Sequence, residues 1–184
     1  QRAAMSTAKI SFESAIRDAE DLLSHFDAIN QQPPPENAEV LKRAGLIMAL
    51  TAWETYVEDR VREGLRQRLC AVTGSFVGDF IEARLDDELK RFHTPSADKT
   101  RKLFADYLGK VDVTADWLWN GTDCAKARKT LDTLIAKRGD AVHRSKPVAA
   151  AGPLPHLVKR DDLEKAIKFF RQLVEATDKA LAEN

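Results

Sequence analysis

Residues 38–69 read AEVLKRAGLIMALTAWETYVEDRVREGLRQRL. Ile47, Leu50, Glu54, Val57 and Val61 recur at spacings of three and four, which predicts a long amphipathic helix over about 38–69. The flanking segments repeat the pattern. Upstream, Ile10, Phe12, Ala15, Ile16, Ala19, Leu22, Leu23, Phe26 and Ile29 trace a helix over about 10–29, and three consecutive prolines at 33–35 forbid its continuation. Downstream, Thr73-Gly74-Ser75 breaks the chain, and Phe76, Val77, Phe80, Ile81, Leu85, Leu89 and Phe92 predict a third helix ending near His93. Thr94 or Ser96 caps a short fourth helix carrying Leu103, Phe104, Tyr107 and Leu108, ended by Gly109.

Val111 to Gly121, with Trp117 and Trp119, lacks a helical period and reads as a packed connection. A fifth helix is expected from about Thr122 to Lys137, with Ala127, Leu131, Leu134 and Ile135 inward and Gly139 as its stop. Residues 147–155 read as an Ala/Gly/Pro loop. Asp161 and Asp162 then open a last helix with one stripe from Leu163 to Leu181. The fold class is all-α: a bundle of long helices around one core, with shorter helices inserted between the second and the fifth.

Composition agrees. The 184 residues are 43% hydrophobic and 32% charged, and 29 Lys+Arg balance 29 Asp+Glu. With eight Gly and seven Pro, the chain is too poor in turn residues for a sandwich or barrel. Residues 1–9 read as a flexible N-terminal lead-in and 10–184 as one domain. No apolar run approaches the roughly 18 residues that span a bilayer, and the N-terminus lacks a signal-peptide pattern, so a cytoplasmic protein without membrane contact is expected. Cys70 and Cys124 lack CxxC spacing and read as buried or half-buried thiols. P-loop, GxGxxG, HExxH and Cys/His-cluster patterns are all missing, and no cofactor or metal is expected.

Polar residues that interrupt apolar faces are the places to look for chemistry. Glu54 falls in a core-facing slot between Leu50 and Val57, and a carboxylate there needs a partner. In the fifth helix the stripe Ala127, Leu131, Leu134 continues into Arg138, the natural partner. An ion pair that fixes helix register is the plain structural alternative. Arg138-Gly139-Asp140-Ala141-Val142-His143 then sets an Arg and a His five residues apart. An unbroken helix would separate them by roughly 140°, so convergence calls for a bend at Gly139, with Asp140 capping a short new turn. The two residue types suit phosphodiester chemistry: the guanidinium fork binds two phosphate oxygens, and the imidazole moves a proton near neutral pH.

Arg138 to His143 resembles the Arg-x(4–6)-His signature of HEPN domains at its four-residue spacing. Leu50-Thr51-Ala52-Trp53-Glu54-Thr55-Tyr56-Val57-Glu58 is similar to the aromatic-flanked Glu of the RiboL-PSP-HEPN and MAE_28990-like branches. The resemblance extends over about 10–181 and departs from the family in one place: Gly139 follows the Arg where Asn, Asp or His is usual. It implies an antiparallel helical bundle and a metal-independent endoribonuclease, a toxin or defence effector, acting as a homodimer with a composite site. Such an enzyme leaves 2′,3′-cyclic phosphate and 5′-hydroxyl ends.

In that frame His143 transfers protons, Arg138 binds the phosphate, Asp140 orients one of them and Glu54 holds Arg138 from behind. Between residues 126 and 146 seven basic residues (Lys126, Arg128, Lys129, Lys137, Arg138, Arg144, Lys146) face two acidic ones, a net of +5 in a chain whose net charge is zero, and these basic residues are the expected RNA contacts. RNA is the expected partner, and an antitoxin protein a further one. Two other readings stay open: a catalytically inactive HEPN-like dimeric module that binds RNA, a nucleotide or a protein, and a helical adaptor in which the motif is accidental. Trp53, Tyr56, Trp117 and Trp119 read as packing residues, His25 and His93 lack metal-ligand spacing, and His156 reads as a surface residue.

Overall fold

The computed structural model describes residues 5–33, 35–142 and 158–182, with backbone alone at 36 and 140–142. Six helices carry the fold: α1 (Thr7–Ile29), α2 (Glu39–Arg68), α3 (Phe76–Leu89), α4 (Ala97–Leu108), α5 (Cys124–Val142) and α6 (Arg160–Ala182). The described residues include no strand beyond an isolated bridge between Trp119 and Thr122.

α2 is the central element. α1 runs antiparallel to it: the N–H groups of Thr7 and Ala8 donate to Glu63 near the end of α2, while Ala19 lies across from Gly45. α6 packs alongside α2 and antiparallel to α1, through Arg160 to Asp27 and through Arg171 to Glu20 and Glu13. The approach is close where α2 crosses α6. A Cβ on Gly45 would sit 2.7 Å from the Leu163 Cδ2 methyl, so a larger residue there would force that side chain to shift.

The core is aromatic at its centre. Trp53 is fully buried and packs against Tyr56, Trp117 and Phe170, with ring centroids 5.8, 6.1 and 6.4 Å away. Both buried indoles find acceptors: Trp53 donates to the Pro95 carbonyl at 3.1 Å and Trp117 to Thr177 Oγ1 at 2.9 Å. These bonds fasten the α3–α4 loop and the α4–α5 connection to the long helices. Gly109, at φ 66°, ends α4 in the left-handed conformation that its lack of a side chain permits.

Five sequence expectations change. The helix begins at Thr7, not after residue 9, because Ser6 caps it and is itself buried against Asp178, which also accepts from Arg60 Nε at 3.0 Å. α3 ends at Leu89, and Phe76, Val77 and Phe80 face outward; Phe76 is 84% exposed. The 111–121 connection contains a 3-10 turn over Val113–Asp116. Cys70 is exposed. Finally, α5 does not stop before Gly139 but continues to Val142.

Candidate phosphate site at the α2–α5 crossing

Glu54 lies on the rim of the core: its side chain is 17% exposed, so the fully apolar slot expected between Leu50 and Val57 is instead an edge position. Arg138 Nη1 donates to Glu54 Oε2 at 3.0 Å. The same oxygen accepts the Thr94 backbone N–H at 3.3 Å, and His93 Nδ1 stands 3.8 Å from Oε1. One carboxylate thus joins three elements: the middle of α2, the end of α5 and the loop between α3 and α4. Burial pushes the neighbouring Glu58 carboxyl up; Arg62 opposes this and the charge of Glu54, one turn away, adds to it.

The loop is held in an uncommon conformation. Thr94 has φ 54°, a left-handed value that a β-branched residue adopts at a cost. Four bonds sustain it: Thr94 N–H to Glu54, Thr94 Oγ1 to the His93 carbonyl at 2.6 Å, Trp53 to the Pro95 carbonyl, and Lys99 Nζ to the His93 carbonyl at 2.7 Å. The His93 ring is left 74% exposed beside the Glu54–Arg138 pair. Sequence reasoning passed over His93 for lack of metal-ligand spacing. Its signal was long-range, 39 residues from Glu54 along the chain, and spacing within one helix could not supply it.

The other expected site residues divide into three groups. Asp140 has helical backbone within α5, so it does not cap a new turn after a break. His143, Arg144, Lys146 and His156 lie outside the described residues. Among the expected RNA contacts, Arg128 is committed inward: its Nε donates to Thr114 Oγ1 at 2.7 Å and its Nη2 to Asp112 Oδ2 at 3.0 Å. Burial acts to raise the Asp112 carboxyl, but the Thr114 bonds and Arg128 outweigh it and hold it below its ordinary value. Lys126 Nζ donates to the Gly121 carbonyl at 2.9 Å.

Lys129 and Lys137 instead line a groove of about 290 Å³ between α5 and α6, together with Lys165. Its floor is apolar, made by Leu134, Ala166 and Phe169. Lys137 reaches Asp162 at 3.4 Å, whereas Lys129 and Lys165 carry no ion pair among the described residues. Lys137 turns toward α6 and the next residue, Arg138, toward Glu54 on α2, so the groove and the pair lie on neighbouring faces of α5. No group of three or more His, Cys, Asp or Glu side chains among the described residues is placed to hold a metal ion, and no described helix is long and apolar enough to cross a membrane.

The fold is an all-helical bundle, and its central helix presents Glu54 to Arg138 near the end of α5. The RiboL-PSP-HEPN family model matches residues 14–183, and the chain belongs to that family. No curated protein matches the chain. No solved structure matches it either.

Proposed function

We propose that the protein is a metal-independent endoribonuclease, a toxin or defence effector, that cleaves RNA to 2′,3′-cyclic phosphate and 5′-hydroxyl ends. The observation that carries this reading is the anchoring of Arg138. Glu54 takes one of its N–H groups, the side chain is still 25% exposed, and Nε and Nη2 bond to nothing else among the described residues. A guanidinium oriented from behind with donors to spare is suited to a phosphate whose charge grows in the transition state. His143 supplies proton transfer five residues further on, and Asp140 orients one of the two.

The lysine-lined groove supports RNA as substrate. Ammonium groups over an apolar floor match a single strand, which offers phosphates on one side and unpaired bases on the other. A homodimer whose twofold axis passes beside His143 would bring two Arg/His sets to one phosphate and join two basic faces into one track. An antitoxin that covers this face would restrain such an enzyme in the cytoplasm. Growth arrest on expression, relieved by His143→Ala, tests the toxin reading.

One observation favours the alternative of an inactive HEPN-like module that binds RNA, a nucleotide or a protein. α5 continues as helix through Gly139 to Val142, so the bend expected at Gly139 is not formed. RNA binding without cleavage would support that alternative.

A further inference from the structure

The Glu54 carboxylate has two oxygens and two cationic or ionisable neighbours: Arg138 on Oε2 and His93 on Oε1. We infer that His93 is a second proton-transfer residue of the site, the base that accepts the 2′-hydroxyl proton. The inference rests on the endoribonuclease reading above. Cleavage of RNA by its own 2′-hydroxyl moves two protons. The base takes one as the 2′-oxygen bonds to phosphorus; the acid gives one to the 5′-oxygen as the P–O5′ bond breaks. The products are a 2′,3′-cyclic phosphate and a 5′-hydroxyl, and the two groups exchange protonation states. In an in-line displacement the attacking 2′-oxygen and the departing 5′-oxygen lie on opposite sides of phosphorus, so two groups placed apart serve the two transfers.

The geometry fits a base. A carboxylate facing Nδ1 favours the tautomer with its hydrogen there, which leaves the lone pair on Nε2 at the outer edge of the ring. The ring's exposure of 74% gives that edge room for a ribose, and Arg138 on the same carboxylate sets a phosphate-binding fork beside it. The loop geometry argues in the same direction. Thr94 is kept in a left-handed conformation by a bond to the same Glu54, so its strain is spent at the point where it aims His93. Glu54 faces the ring from α2 at 3.8 Å, while the Lys99 ammonium on α4 bonds the His93 carbonyl.

The test is a cleavage assay of the full chain with His93→Gln, His93→Ala and wild type on one fluorescent oligoribonucleotide. Because the ring is exposed, both variants should melt at the wild-type temperature. His93→Gln should lower kcat/KM about 100-fold or more and remove the acidic limb of its pH profile, where a neutral base is formed. Added imidazole should rescue His93→Ala and leave His93→Gln unrescued. If wild type cleaves but His93→Gln keeps its rate and both limbs, the second imidazole is not His93 and the inference fails, while the endoribonuclease reading stands. A wild-type chain that binds RNA without cutting it overturns both.

Discussion

Arg138 Nη1 and Glu54 Oε2 meet at 3.0 Å across 84 positions of sequence, and this contact closes the end of α5 onto the middle of α2. Its value is positional more than energetic. Both side chains reach solvent, so the Coulombic gain is screened, and removing the charge should cost stability only about 1 kcal/mol.

Glu54→Gln should therefore fold, melt slightly below wild type and lose most of its activity, because an amide can still accept from Thr94 but binds a guanidinium weakly. Glu54→Leu should be the worse variant, since it also leaves the Thr94 N–H without its acceptor. Thermal melts beside cleavage rates check the order. Both substitutions silent in both measurements would separate Glu54 from the site.

The groove between α5 and α6 makes a prediction about salt. For a single strand the affinity falls with log[salt] at about 0.7 per neutralised phosphate, so Lys129→Gln with Lys165→Gln should flatten the slope by about 1.4. Titrating an oligoribonucleotide against the His143→Ala chain at several salt concentrations measures it. An unchanged slope would mean that the strand runs elsewhere.

Dimerisation at the motif face predicts a salt response of opposite sign. Screening of two like-charged segments should hold or tighten the dimer as salt rises, while RNA affinity falls. Sedimentation at micromolar concentration reads this, and a strict monomer would remove the composite site.

Alkaline pH should destabilise the fold through Tyr56. Burial first, then the Asp178 charge, pushes its phenol well above the ordinary value. A raised folded-state pKa means that the native state holds the proton more tightly. The associated stability is complete below the unfolded value of about 10 and is lost as pH climbs above it toward the folded value. Tyr107, pushed up to about 12 by burial and its bond to Glu88, acts with the same sign. Urea midpoints from pH 9 to 11.5 should fall for wild type and fall less for Tyr56→Phe.

Much of the bundle was legible from periodicity, because α1, α2, α4 and α6 bury faces that local spacing defines. The misreadings share a cause. Phe76, Val77 and Phe80 satisfy the same spacing, yet α3 has no partner for that face among the described residues, and spacing cannot tell an apolar stripe that finds a partner from one that does not. Gly139 costs a helix only about 1 kcal/mol, too little to end one anchored by Leu131, Leu134 and Arg138. At the site, Glu54 and Arg138 announced themselves as polar residues on apolar stripes. His93 did not, because a loop residue has no stripe to interrupt, and the bonds of Trp53 to Pro95 and of Thr94 to Glu54 that bring it there are long-range.

Arg138 and His143 are proposed to cut RNA without a metal. One measurement tests it most directly: cleavage of an end-labelled oligoribonucleotide in excess EDTA by wild type, Arg138→Ala and His143→Ala, with the fragment ends identified by mass spectrometry. Wild-type cleavage should be undiminished by EDTA and leave 2′,3′-cyclic phosphate and 5′-hydroxyl ends, and each variant should lose about 100-fold or more. Cleavage abolished by EDTA, fragments with 5′-phosphate ends, or full activity in His143→Ala would contradict it.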